Sequence, residues 1–420
     1  MYLEQIAIKN FRGISSCNLN FEKDINLIIG ENGTGKTSIL EAIAVGLGGF
    51  ISGLDGVASR NFTQDEIQTV FSRTGDGSYN SKHILPIEVS CIAKLYDETF
   101  EWKRAREAFR SSRTGLQPRQ IAKAASELAG SDDSILPIIS YQSASRTWMQ
   151  KKDTKSTVRY SSSRVMGYSD CLYDVSSRKQ ILNWCAKMEQ VAWQKGKPVG
   201  EYEGAKAAVA KFMSTVDGQD CSLYYEKQSE NLLYIRGDET ESISTLSAGY
   251  QSLIWMVFDI AYRMALLNPD LREDICQTPG IVLVDEIDIH LHPEWQWVVI
   301  HALKTVFPNV QLIVATHSPI VIASIKQGRL IDINNMDDIS YVDARYGLDV
   351  NDTLNQIQNV LDKPAEVARI QKEFDDAINR EDLKTAREKA EELEALVGPD
   401  RPVSVEVRTT YELEAALAEE

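Results

Sequence analysis

Gly30-Glu31-Asn32-Gly33-Thr34-Gly35-Lys36-Thr37 fits the pattern G-x-x-x-x-G-K-[ST]. Before it stands a short apolar run, Ile25 to Ile29, of strand length. After it, Ile39, Leu40, Ile43 and Leu47 share one helical face. Strand, glycine-rich turn and helix together make a phosphate cradle. The glycines let backbone N–H groups close on phosphate oxygens, and the helix N-terminus adds partial positive charge. Asn32, Gly33, Thr34, Gly35 and Ser38 would line that cradle. Lys36 would reach the β- and γ-phosphates of ATP, and the Thr37 hydroxyl would ligate Mg²⁺.

Outward from this loop, three further stretches fit the same chemistry. Ile281-Val282-Leu283-Val284-Asp285-Glu286 is an apolar strand ending in two acids, the Walker B form. Asp285 would hold Mg²⁺, and Glu286 would act as general base toward the attacking water. Val314-Ala315-Thr316-His317-Ser318 places a histidine at the end of another buried-type strand, 32 residues past Asp285. Neighbouring strand ends meet at the ligand crevice of a parallel sheet, so His317 would orient or sense the γ-phosphate. Leu246-Ser247-Ala248-Gly249-Tyr250 precedes a long helix, and by composition alone it reads only as a helix cap. His290 and His292 stand two apart in Asp288–Glu294; alone they suggest a metal pair without a third ligand.

The 420 residues suffice for two or three domains, or for one large domain with an inserted lobe. With 43% hydrophobic and 25% charged residues, the chain is neither fibrous nor wholly disordered. A net charge of −16 argues against a general polyanion binder, yet the charge is uneven. Residues 101–164 carry 13 Lys/Arg against 6 Asp/Glu, and residues 361–420 carry 9 against 17. The first segment suits contact with DNA or RNA and the second a basic protein partner; solvated faces are the plain alternative for both. Six scattered cysteines without a C-x-x-C pair suit a reduced compartment. Met1 to Lys9 alternates like a strand and lacks the make-up of a signal peptide. Asp259 and Arg263 interrupt the apolar stretch Leu253 to Leu267, which excludes a comfortable membrane span. A cytoplasmic protein with no membrane association is expected.

A phosphate loop, an L-S-x-G-x signature, an Asp-Glu pair and a switch histidine, in this order, resemble an ABC-type ATPase head. The resemblance implies that Ser247 and Gly249 of one subunit close on the ATP of another, so a head-to-tail homodimer or larger oligomer follows. It also implies that His290 and His292 lie in a loop that packs against a second subunit. Asn10-Phe11-Arg12-Gly13-Ile14 resembles the opening of RecF, SMC and OLD-type heads, where the arginine lies by the phosphates. Gln142, at the end of an apolar strand and 106 residues after Lys36, is the candidate for the glutamine that completes the Mg²⁺ shell; Gln64 and Gln68 are further candidates. The implied fold is α/β: an ABC/SMC-like P-loop ATPase head with a mixed sheet, an antiparallel β subdomain, a helical insertion and C-terminal helices. The expected divisions are 1–145 for the first ATPase lobe, 146–220 for the helical insertion, 221–345 for the lobe with signature, Walker B and switch histidine, and 346–420 for helices that bind a partner.

Only 210 residues separate Lys36 from Leu246, too few for the long coiled coil of a true SMC protein. No glycine-glutamate strand followed by Asp-x-Asp, as in OLD-type nucleases, stands out after His317. The phrase from Asp285 to Gln296, the stretch Leu136 to Arg146 and Tyr346-Gly347-Leu348 resemble compact PtuA-type ATPases of Septu antiphage systems and some retrons. That resemblance implies an ATPase that regulates an HNH-type nuclease carried on another chain. The competing reading is a RecF/SMC-like repair ATPase that binds DNA itself.

Overall fold

The run Ile25–Ile29 is buried at every position, which a strand achieves only with covered neighbours on both sides and both faces. In the computed structural model it lies inside a six-stranded sheet. Residues 1–74, 78–144, 163–173, 178–336, 339–344, 346–347, 364–380 and 382–418 are described. The strand order is Ser340–Asp343, Arg329–Asp332, Ile25–Ile29, Val310–Ala315, Gly280–Val284, Ile138–Gln142. All neighbours run parallel except Ser340–Asp343, an antiparallel edge. Four sequence motifs therefore leave the same edge of one sheet. Registers fix them laterally: Ile28 sits opposite Ala315, Val314 opposite Val284, and Val284 opposite Gln142.

A second sheet of five antiparallel strands has the order Ile14–Asn20, Tyr2–Phe11, Ile87–Leu95, Glu98–Arg106, Gly115–Gln117. In Ile87–Leu95 buried and half-exposed residues alternate strictly, as expected of a strand covered on one face. The helix after the phosphate loop, Lys36–Ile51, packs against this sheet. Trp102 Nε1 donates to the Gly46 carbonyl at 2.8 Å, and Arg104 donates to the carbonyls of Val45 and Arg60. Arg106 likewise donates to the carbonyls of Phe62 and Phe109. These two arginines are buried, and a buried guanidinium needs such partners. The positive charge counted in 101–164 is thus partly internal to the fold, and residues 145–162 lie outside the described ones.

A third sheet pairs Cys221–Glu226 with Asn231–Arg236 and then Glu239–Ser242, leading into the helix Ala248–Leu267. Helices Arg178–Lys195 and Gly200–Asp217 cover this helix. Trp184 meets Tyr202, Phe258 and Tyr262 edge-on, with centroids 5.1–6.5 Å apart. Asp259 and Arg263, which broke the apolar run, form a buried ion pair at 2.8 Å. Removing one partner of such a pair would strand a charge, at about 3–5 kcal/mol. Among the described residues no helix is long and apolar enough to cross a membrane.

Met1–Leu348 forms one compact unit and Asp349–Glu420 a second. In the second, helices Ala365–Asn379, Leu383–Val397 and Pro402–Ala418 turn their apolar faces inward. Val367, Ile370, Phe374, Ala386, Leu393 and Val407 make that core. The apolar stripes of these three helices are therefore spent on one another. What the unit leaves exposed is Leu396, Val405, Leu413 and Leu417, set among acidic side chains.

Candidate functional site

The phosphate loop leaves the strand at Gly30 and enters the helix at Lys36. Gly33 and Gly35 have φ of +87° and +105°, values that side-chain-bearing residues rarely adopt. Thr34 Oγ1 donates to the Glu31 carbonyl at 2.9 Å, and Asn334 Oδ1 accepts from the Glu31 N–H at 2.7 Å. Asn32 and Gly33 are exposed, while Thr37 and Ser38 are half-buried at the first helical turn. Lys36 folds back over the loop, donating to the carbonyls of Gly30 at 2.6 Å and Glu31 at 2.8 Å. Burial lowers its pKa, and the carboxylates of Asp285, Glu286 and Asp288 oppose that shift. The Walker B acids therefore act electrostatically on the phosphate-loop lysine.

Asp285 follows directly on the buried strand and is 1% exposed; its N–H donates to the Gln142 carbonyl at 2.8 Å. Glu286 next to it takes φ of +46°. His317, at the end of the neighbouring strand, brings Nε2 to 3.9 Å from Glu286 Oε1. That gap exceeds a hydrogen bond but leaves both groups facing one space, each about a third exposed. Thr316 Oγ1 donates to Asp288 at 2.5 Å, and Ser318 Oγ donates to Gln296 at 2.6 Å. These bonds tie the histidine's loop to the loop after Glu286.

Gln142 stands at the strand end beside Asp285, with its amide nitrogen donating to Ser140 and, at 2.8 Å, to Asp259 of the signature helix. Asp259 is a residue whose part in this connection sequence reading missed. Arg12 caps the first strand at φ of +48°, and its guanidinium pairs with Glu41 on the phosphate-loop helix at 2.5 Å. Burial raises the Glu41 pKa, and Arg12 and then Arg60 counter it. Arg12 is thus held against the helix that begins at Lys36, through Glu41. Gln64 and Gln68 instead bond to the Phe109 carbonyl and Ser15.

Ser247 is the N-cap residue of Ala248–Leu267, with an exposed side chain that makes no capping bond. Gly249 is buried, and a Cβ there would come within 2.6 Å of the His290 carbonyl. Glycine is needed for this close approach of the signature helix to the loop after Glu286. His290 has φ of +63°, and His292 Nδ1 accepts from the Glu294 N–H at the start of a short helix. Among the described residues no group of three or more His, Cys, Asp or Glu is arranged to hold a metal.

Comparison with known proteins agrees with this fold. A family described as AAA domain matches residues 5–197, and one described as AAA ATPase domain matches residues 178–322. The Septu protein PtuA of Bacillus thuringiensis is 24% identical over 426 residues, which covers 96% of each chain. The retron Vc95 probable ATPase of Vibrio cholerae is 24% identical over 398 residues, covering 80% of this chain and 74% of that one. An SMC head bound to the C-terminal winged-helix domain of ScpA superposes with a TM-score of 0.50 at 19% identity, covering 82% and 97%. At that identity it shares the fold alone.

The chain has the fold of an SMC head, and its matches to an AAA domain and an AAA ATPase domain mark it as an ATPase. Its relatives include Septu PtuA proteins and retron probable ATPases.

Proposed function

We propose that this chain is the ATP-hydrolysing regulatory subunit of an antiviral defence complex, and that it controls an HNH-type nuclease partner through nucleotide-dependent dimerisation of its heads. The observation that carries the reading is the alignment of four motif-bearing strand ends on one sheet edge, in a chain homologous over nearly its full length to PtuA. Lys36 would leave the loop carbonyls to neutralise the β- and γ-phosphates. Glu286 would take the proton of the attacking water, and His317 would hold the γ-phosphate in line. The Thr37 hydroxyl, the Asp285 carboxylate and the Gln142 amide oxygen form an oxygen donor set suited to Mg²⁺, a hard cation. When bound, Mg²⁺ would offset negative charge on the phosphates.

Ser247 and Gly249 would complete the site of a second copy, since the Ser247 side chain is exposed at a helix N-terminus. Mixing Ser247→Arg chains with Lys36→Ala chains tests this. The mixed dimer contains one site hit twice and one intact, so hydrolysis should reappear when two inactive preparations are combined. Persistent inactivity would argue against sites shared in this way.

In this reading the partner docks at least partly on residues 350–420. The outer surface of the second unit combines Val405, Leu413 and Leu417 with an acidic balance suited to a basic nuclease. In this reading the ATP-bound assembly holds the nuclease idle, and loss or hydrolysis of ATP releases it. The test is to purify the chain alone and with the product of its genomic neighbour, then assay DNA and tRNA cleavage with and without ATP. Cleavage should need the neighbour and should rise as ATP is depleted. Robust cleavage by this chain alone would reject the assignment. Preferential binding of duplex ends by the chain alone, without any nuclease partner, would favour a RecF-like repair role.

A further inference from the structure

Thr69–Arg73 and Tyr79–His83 form an antiparallel hairpin in register from Thr69–His83 to Arg73–Tyr79, and they make a two-stranded sheet of their own. A ribbon of two strands is marginal without cover. This one nevertheless exposes Phe71 by 67% and Tyr79 by 68%. Residues paired directly across antiparallel strands share a face, so Phe71, Arg73, Tyr79 and Ser81 lie together. At the root of that face the His83 ring stacks on Phe109, centroids 3.9 Å apart and planes 11° from parallel. Arg106 and Gln64 both donate to the Phe109 carbonyl, which fixes the loop that carries it. From that loop Arg110 and Arg113 are exposed.

Two large exposed aromatics thereby share a face with Arg73, the loop joined to the root of that face carries Arg110 and Arg113, and Lys82 stands on the other hairpin face. The acidic residues in these stretches are Asp76 and Glu107. In a chain of net charge −16 this is a locally cationic element. On that face Phe71 and Tyr79 are diagonal neighbours, Phe71 opposite Ser81 and Tyr79 opposite Arg73. Exposed rings flanked by guanidinium groups suit bases that stack and phosphates that pair. Stacking of this kind needs unpaired bases, which favours a single strand over a duplex.

We propose that the paired strands Thr69–Arg73 and Tyr79–His83 and the Phe109–Arg113 loop bind a single strand of nucleic acid, with bases on Phe71 and Tyr79 and phosphates on Arg73, Arg110 and Arg113. The inference stands apart from the assignment of a nuclease partner, because it concerns surfaces of the ATPase unit alone.

The test is fluorescence anisotropy of the full chain with a labelled oligothymidine, an RNA strand of equal length and a matched duplex, between about 50 and 200 mM salt. The wild type should bind at least one single strand more tightly than the duplex. Phe71→Ala with Tyr79→Ala should weaken that binding by at least about tenfold, while Phe71→Tyr should retain it. Arg110→Glu with Arg113→Glu should weaken it and flatten the salt dependence. All of these side chains are exposed or at a loop, so thermal melting should stay at the wild-type midpoint, which separates lost binding from lost folding. No binding by the wild type to any probe would overturn the proposal. So would a tight duplex complex indifferent to the aromatic pair, or an aromatic variant that loses a co-purifying protein but keeps its affinity for single strands.

Discussion

Lys36→Ala should abolish ATP turnover while leaving the chain folded. The lysine is buried, donates to two loop carbonyls and lies within the field of Asp285, Glu286 and Asp288. Its ammonium is the group placed to neutralise phosphate charge at the loop. Removing one such preorganised group costs on the order of 10²–10³ in rate even when binding survives. Here it should also weaken binding, since three carboxylates would then face the triphosphate without their cation. Hydrolysis measured by phosphate release and binding measured by calorimetry check the two effects separately. Turnover near wild type would remove Lys36 from the site.

Glu286→Gln should leave binding intact and slow hydrolysis by a factor of about 10²–10⁴. Glutamine keeps the shape and one hydrogen-bonding oxygen but cannot accept the proton. Glutamine matches glutamate in size, and Glu286 is about a third exposed, so the change is chemical more than structural. The ATP-bound form should accumulate, with a longer-lived oligomer visible by light scattering. Unchanged hydrolysis would move the base elsewhere, and His317 is the nearest titratable alternative.

The motifs were legible because their chemistry requires particular residues at strand ends, and a strand end shows in a sequence as an apolar run that stops. Asp285, Glu286 and His317 follow such runs, and the parallel sheet brings them together at the phosphate loop as expected. Less legible were the residues that hold the site from far along the chain. Asn334 supports the phosphate loop across 303 residues, and Asp259 takes the Gln142 amide across 117. No local pattern encodes such pairs. The hairpin Thr69–Arg73 was missed because its faces are mostly exposed and carry no burial rhythm. Strand Glu239–Ser242 is wholly polar and failed for the same reason.

Counting charges also had a limit. The excess of Lys and Arg in 101–164 reads as a surface for polyanions, yet Arg104 and Arg106 are buried against backbone carbonyls. Apolar stripes likewise announce a buried face without naming what covers it. In the C-terminal unit the covering surfaces are the other helices of the same unit. The candidate partner surface there consists of exposed residues outside those stripes.

Single-turnover hydrolysis with bound nucleotide quantified in parallel, for wild type, Lys36→Ala and Glu286→Gln, tests the central claim most directly. The account predicts that wild type binds and cleaves ATP, that Glu286→Gln retains uncleaved ATP, and that Lys36→Ala cleaves none. Equal cleavage by all three would contradict it.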